Sequence, residues 1–507
     1  MKKIIAGIDK KMFSVPAILA VVVVVTGILF KEEFGRFITL TFNWTEKHMG
    51  WFYSLGTFLF IPFCLWAAFS RVGSIKLGGQ DANPDMSLGT WIAITFTSGM
   101  AMGVVFYGVG EGLANFMQPP DFSGNLSGSL EAAENALKYV YVHWGFQAYG
   151  IYTAAALGFA FVILNLKKRF ALNAGLYPLI GDKAEKWPGY LVNWLCLYVL
   201  VASLGTNVGL GTLQLSAGIN YILDTNLQPI VLQLLIIVTL GAIGITAACS
   251  GIHKGIKYIS NFNMIIFGVL LLGAFIFGGT IFILNNTISS VGKYLEILIP
   301  QALYLEPVKQ TGWVARNTIY YWSWWITVAP LTGLFLSKLG KGRTIKQFVF
   351  VNLFVPVGFI IVWFGTFGSS AILRQLNGIN IWREVTEKGY PVAFFSYLNS
   401  LPLSTIFLIL GIMAVFLSFI TQSESMIYTI AEMTSLEEQN SQKTSSATSN
   451  FLKVFWGVMI STMGFTLIQS GGLEAVQTSV VMLGVPILII LIINCVSFIK
   501  ATSNYLK

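Results

Sequence analysis

The chain has 507 residues, 55% of them hydrophobic and 10% charged, with a net charge of +9 and a mean hydropathy of +0.72. Soluble proteins carry about 25% charged residues, so the composition excludes a soluble globular enzyme and points to helices that cross a bilayer in runs of roughly 20 residues. A closed barrel needs alternating runs of about 10 residues and a nucleic-acid binder needs a basic stripe interleaved with stacking aromatics; neither occurs, and Lys and Arg cluster in the breaks between apolar blocks.

The first apolar run, Ser14 to Phe30, follows Lys2, Lys3, Lys10 and Lys11, as in a signal peptide. Lys31-Glu32-Glu33 then offers no small-x-small cleavage site, so the run reads as an uncleaved first span. Hydropathy places about twelve spans, near 14–30, 51–70, 90–112, 137–164, 189–222, 229–248, 260–283, 313–337, 348–368, 402–432, 451–469 and 477–499. With both termini in the cytoplasm, inner segments exceed outer ones in Lys and Arg by about two to one, as the positive-inside rule requires.

The third span contains Thr97-Ser98-Gly99-Met100-Ala101-Met102-Gly103. Small residues at this spacing serve close helix packing or a mid-membrane helix break, whose freed backbone groups bind ions. Glu111 ends the span and is expected near the outer interface. On the fourth span, at 100° per residue, Tyr152 lies about 80° and Tyr149 about 140° from Trp144, so the three rings share a face. Such rings either pack or anchor at an interface, or line a site. Asn207 on the fifth span reads as glue between helices.

The eighth span, Tyr320-Tyr321-Trp322-Ser323-Trp324-Trp325-Ile326-Thr327-Val328, holds three tryptophans in four residues, more than an interfacial belt needs. Tyr321, Trp325 and Val328 follow i, i+4, i+7 spacing along one seam. An aromatic cage binds a quaternary ammonium, which donates no strong hydrogen bond, at roughly 0.5–2 kcal/mol per ring. On the tenth span, in Thr421-Gln422-Ser423-Glu424-Ser425, Glu424 reads either as an intramembrane functional carboxylate or as a residue near the watery helix end. No CxxC, HxxxH or HExxH pair occurs, so no cofactor or metal is implied.

From about residue 10 to 500 the sequence resembles the betaine/carnitine/choline transporters. The most specific piece runs from Tyr321 to Val349: clustered Trp, then Pro330 and Gly333, then Gly342-Arg343-Thr344-Ile345. Gly73 to Gly78, Phe106-Tyr107-Gly108 with Glu111, Gly255 to Asn261 and Gly471-Gly472-Leu473-Glu474 support it. The resemblance implies an all-α polytopic fold of the leucine-transporter type: an N-terminal tail and two lead-in helices over 1–88, inverted five-helix repeats over 89–284 and 285–500, and a short cytoplasmic tail, 501–507. It implies a homotrimer in a bacterial cytoplasmic membrane, with alternating access around a midplane site.

By resemblance the aromatic box falls on Trp144, Tyr149, Tyr152 and Trp325, with Trp324 and Val328 beside it and a substrate carboxylate at the freed N–H groups of Gly99, Met100, Ala101, Met102 and Gly103. Val328 stands where many members carry tryptophan, Tyr149 likewise, and Ala101 occupies the middle of the glycine motif. Sodium coupling would use Thr97, Met100 and Thr421, with Gln422 in place of a hydroxyl ligand; proton coupling would use Glu424; exchange needs no ion. The expected function is secondary transport of a quaternary-ammonium solute, with another small zwitterion on the same fold as the alternative. An enzyme would need convergent His, Asp or Cys groups within the membrane.

Overall fold

The computed structural model describes residues 7–99, 102–223, 228–250, 253–436 and 446–506. Among them every regular element is helical, apart from two isolated bridges. Apolar sequence in lipid has little choice, since only a helix satisfies its own backbone N–H and C=O groups within one segment. The long helices are α1 Lys10–Leu29, α2 Lys31–Phe69, α3 Leu88–Gly99, α4 Met102–Met117, α5 Leu130–Trp144, α6 Phe146–Ala160, α7 Trp187–Leu223, α8 Pro229–Ser250, α9 His253–Phe277, α10 Thr280–Ala302, α11 Tyr320–Leu339, α12 Val355–Leu376, α13 Ser404–Met433 and α14 Ser446–Tyr505. Local chemistry sets several starts: Asp9 accepts from the N–H groups of Lys11 and Met12 at 3.1 and 3.2 Å, and Ser129 accepts from Ala132 N–H at 3.1 Å.

Nine stretches among the described residues are long and apolar enough to cross a membrane. The expected twelve differ from these nine at three places. The third span falls on α3 and α4, which flank Met100 and Ala101, outside the described residues; the expected break at Gly99 to Gly103 falls there. The eighth, α11, carries too much Tyr, Trp and Ser to count as strongly apolar. The last two expected spans form one assigned helix, α14, interrupted by non-helical dihedrals at Gly471 and Gly472.

Two corrections bear on the site. The fourth span is not one helix: Gly145 (φ −91°, ψ −130°) separates α5 from α6, so Trp144 is not tied to Tyr149 by a helical wheel. Residues 315–319 form a π turn ahead of α11, where a regular helix from 313 was expected. Sequence reading also missed α10, because Asn285, Asn286, Ser290, Lys293 and Glu296 dilute its hydropathy.

α11 lies along α6, and α14 packs on α7 and α2. Asn494 Nδ2 of α14 donates to Ala155 O of α6 at 2.9 Å, and Trp363 Nε1 of α12 donates to Val104 O of α4 at 3.0 Å. At the end of the bundle where α11 finishes, the loop after α2 is laced to the loop after α11. Leu77 N donates to Arg343 O at 2.9 Å, Gly342 N to Leu77 O at 2.8 Å and Ile345 N to Ile75 O at 3.0 Å. Asn165 clamps the same loop, accepting from Gly78 N and donating to Lys76 O, both at 3.0 Å. The two motif pieces far apart in sequence are thus one hydrogen-bonded latch. Thr344 also caps the short helix that follows through a capping box with Gln347.

Gly342 turns this latch with φ +74°, and a Cβ there would meet the backbone of Asn83 and Pro84. The left-handed conformation alone costs a side-chain-bearing residue about 1–2 kcal/mol. Gly342→Ala is expected to lower the melting temperature of the detergent-solubilised protein by several degrees. Gly79→Ala, at φ +99° but with open space around it, should lower it less. Equal shifts in the two variants would remove the latch contact from the account.

Candidate functional site

A cavity of about 820 Å³ enters the bundle between α6, α7, α11 and α13. Along α11 its wall runs from Trp324 and Trp325 through Val328 and Thr332 to Phe335 and Lys338. From Trp325 to Lys338 the helix rises about 20 Å, so the indoles lie deep. Lys338, Arg169 and Glu432 at the other end are exposed and form the mouth. That mouth lies at the end of the bundle where Asp9, just before α1, and Tyr505, at the end of α14 against Phe161, are found.

Four expected rings meet at the deep end. Trp325 lies 5.4 Å from Trp144, 5.6 Å from Tyr149 and 5.1 Å from Tyr152, centroid to centroid. Trp144, Tyr152, Trp324, Trp325 and Val328 line the cavity, whereas Tyr149 reaches the cluster from behind and touches Trp325 instead. The rings converge despite the kink at Gly145 because Trp325, on α11, bridges α5 and α6. Tyr321 does not share the cavity seam of Trp325 and Val328; it stacks on His143 at 4.8 Å.

Each indole is held by its N–H. Trp144 Nε1 donates to Glu111 Oε2 at 2.6 Å, Trp324 Nε1 to Asn207 Oδ1 at 3.0 Å and Trp325 Nε1 to the backbone oxygen of His143 at 3.1 Å. With each N–H bonded to a protein oxygen, what the rings can still offer a ligand is π-surface. Gly103 makes the approach possible, since a Cβ there would come to 2.5 Å from Trp324 and 2.8 Å from Trp144. The glycine motif therefore packs on the indoles through its last residue. Met100 and Ala101 lie outside the described residues, and nothing further is described for Gly99, Met102 or Thr97 beyond their places on α3 and α4.

Glu111, expected at the end of its span, is 4% exposed and bonds both Trp144 and His143. Its helix, α4, does not end there but continues to Met117. Beyond the indoles on the side away from the mouth, Tyr107, Tyr320, Tyr321 and Tyr390 pack together. Tyr107 shares a hydrogen bond with Tyr320 at 3.0 Å and accepts from Gln477 Nε2 at 2.8 Å. These rings separate the cavity from that side of the bundle.

On α13, Thr421, Gln422 and Ser425 line the cavity but Glu424 does not. Glu424 is buried and accepts from Ser425 Oγ at 3.2 Å. Thr421 Oγ1 donates back to its own helix, to Leu417 O at 2.9 Å. Sequence reading missed Thr332, Ser418 and Met426 of the wall; the spacing Val328, Thr332, Phe335 along one helix face was the available signal.

The family model described as "BCCT, betaine/carnitine/choline family transporter" matches residues 11–507. A probable glycine betaine transporter of Desulfitobacterium hafniense is 33% identical over 98% of this chain and 98% of its own length. An ectoine/hydroxyectoine transporter of Virgibacillus pantothenticus is 31% identical over 98% of this chain and 97% of its own. An osmo-independent choline transporter, BetT1, of Acinetobacter baylyi is 30% identical over 94% and 89%.

Gly103 gives the site its most direct packing test. Gly103→Ala should push both indoles off their acceptors and weaken ligand binding by roughly tenfold or more, equivalent to about 1.4 kcal/mol, with tryptophan emission altered before ligand is added. Unchanged affinity and emission would show that the indoles do not depend on this contact.

Proposed function

The chain belongs to the betaine/carnitine/choline transporter family, and from that premise we propose that it carries a small quaternary-ammonium solute, such as glycine betaine, carnitine or choline, by alternating access. One observation carries the reading: the rings of Trp144, Tyr152 and Trp325 meet, edge to face, at the deep end of the cavity. A methylated ammonium has no N–H to donate, so in a dry site ring quadrupoles replace its hydration, at about 0.5–2 kcal/mol per ring. The carboxylate of a betaine is assigned, from the sequence, to backbone N–H groups in the Gly99 to Gly103 stretch.

The Lys and Arg bias supports both termini in the cytoplasm of a bacterial inner membrane. The cavity mouth is then inward-facing and the tyrosine cluster is the closed outer side. Solute binding shifts the population between this state and its outward-facing counterpart, by motion of the repeats at 89–284 and 285–500 against each other. Family resemblance supports a homotrimer. For coupling, Thr421 and Gln422 face the cavity and Glu424 does not, which favours an oxygen-lined sodium site over protonation of Glu424. Uptake into proteoliposomes under imposed sodium or proton gradients decides among sodium symport, proton symport and exchange.

A second reading, transport of a different small zwitterion, is favoured by Val328, which lines the cavity without a ring, and by the 31% identity to an ectoine/hydroxyectoine transporter. A thermal-shift panel of betaines, choline, carnitine, ectoine and amino acids separates the two.

Trp325 touches all three other rings, so Trp325→Leu should abolish saturable uptake of radiolabelled glycine betaine or choline while leaving membrane expression intact. Normal transport by that variant would take the cage out of the mechanism.

A further inference from the structure

We propose that Glu111 and His143 form a proton-binding site behind the aromatic cage, and that a proton there competes with the bound cation. The inference rests on the cage assignment above. Both groups are buried, at 4% and 1% exposure. Glu111 spends one carboxylate oxygen on each neighbour: Oε1 on His143 Nδ1 and Oε2 on Trp144 Nε1, both at 2.6 Å. His143 Nε2 lies 3.0 Å from Thr318 Oγ1. Through these contacts the pair touches the cage twice, because the backbone oxygen of His143 also accepts from Trp325 Nε1 at 3.1 Å.

The arrangement holds two protonation states without moving a heavy atom. With Nδ1–H donated to Glu111, a neutral imidazole accepts at Nε2 from the Thr318 hydroxyl. When Nε2 takes a proton, it donates to that hydroxyl, which acts equally well as acceptor. The first state leaves a net charge of −1 behind Trp144; the second is a neutral ion pair. A negative charge bonded to the indole N–H makes the ring a better partner for a cation. The proton and the cationic headgroup therefore oppose each other, and each weakens the other's binding by the same factor. The sign separates this site from a symport site, where the proton would strengthen solute binding.

Other titratable and charged groups come from the elements packed around the pair. Tyr107 on the same helix, and Tyr320, Tyr321 and Tyr390 from the elements packed on it, are neutral phenols. Phe364 of α12, against Trp144, does not titrate. Arg316 of the π turn lies beside Gly312, and Glu306 is engaged by Thr311 and by Val314 N–H at 2.6 and 3.2 Å. The carboxylates lining the cavity, Glu432, Glu185 and Asp9, sit toward the mouth, and Glu424 lies off the cavity.

Choline is a permanently charged probe and decides the matter. One charge placed about 8 Å from another at an effective dielectric near 20 changes an equilibrium by roughly thirtyfold. Choline affinity of the purified full-length protein should thus fall about tenfold or more as the pH is lowered and the pair takes up its second proton. Calorimetry in buffers of different ionisation enthalpy should detect proton release when choline binds. Glu111→Gln and His143→Gln should each flatten the pH profile. Should neither variant fold, proton release by the unmodified protein decides on its own. A flat profile, proton uptake on binding, or a slope that survives both variants and disappears in Glu424→Gln would overturn the proposal while leaving the cage intact. Failure of any quaternary ammonium to bind at any pH would remove the cage and this site together.

Discussion

A buried indole N–H costs free energy unless it finds an acceptor, and the three indoles that line the cavity each find one. The site is built around that requirement. Trp144, Trp324 and Trp325 each give their single donor to a buried oxygen, on Glu111, Asn207 and the backbone of His143. An unmade bond of this kind costs about 1–3 kcal/mol, enough to fix the ring against rotation. Once the edge is pinned, the face direction follows, and face direction is what a cation-binding pocket needs. Three helices supply the acceptors, so cage geometry is a property of how the bundle packs and not of any one segment.

The same requirement explains several features that look unrelated in sequence. Gly103 lets α4 come within contact of two indoles. The kink at Gly145 places Trp144 at the end of α5, where its indole N–H meets Glu111 while Tyr152 follows α6 to the cavity wall. The π turn at 315–319 sets Thr318 against His143 ahead of the tryptophan cluster; such bulges are frequent at functional sites. At the far end of α11 the latch between Leu77 and Arg343 ties the helix to the lead-in loop, so the element bearing Trp325 is anchored beyond the cavity mouth.

Much of this was legible beforehand, for physical reasons. Apolar runs flanked by Lys and Arg give helices directly, and α1, α7, α8 and α13 lie close to the expected limits. The density of aromatics in Tyr320 to Val328 singled out α11 because packing alone does not require three indoles in one turn. What stayed illegible depended on contacts between helices. A wheel through Trp144 and Tyr152 presumed an unbroken helix, whereas the two rings come together through Trp325. Glu111 read as interfacial because a span of standard length ends near it, and nothing local announced that His143 and Trp144 would close over it. Tyr149 fell out of the cavity wall for a similar reason, since Trp325 covers it. α10 was lost because hydropathy averages over a window that its polar face dilutes.

The distribution of charge around the cavity is the last constraint. Among the described residues no basic side chain lines its deep end; Arg169 and Lys338 stand at the mouth, where Lys338 lies 3.7 Å from the Phe170 ring centroid. Hydroxyls and amides of Thr332, Ser418, Thr421, Gln422 and Asn207 line the walls, along with apolar side chains. A fixed cation beside the rings would cancel their pull on an onium headgroup, whereas neutral dipoles solvate its polar tail without choosing a sign. Wall dipoles of this kind accept a hydroxyl, a carboxylate or a cyclic amidinium with little penalty. On the proposed function, headgroup selection would reside in the rings and in the carboxylate behind them, and tail selection in the shape that Val328 leaves open. Exchanging a ring for Val328 enlarges the tail space without touching an indole anchor, so on one scaffold the two kinds of selectivity vary independently.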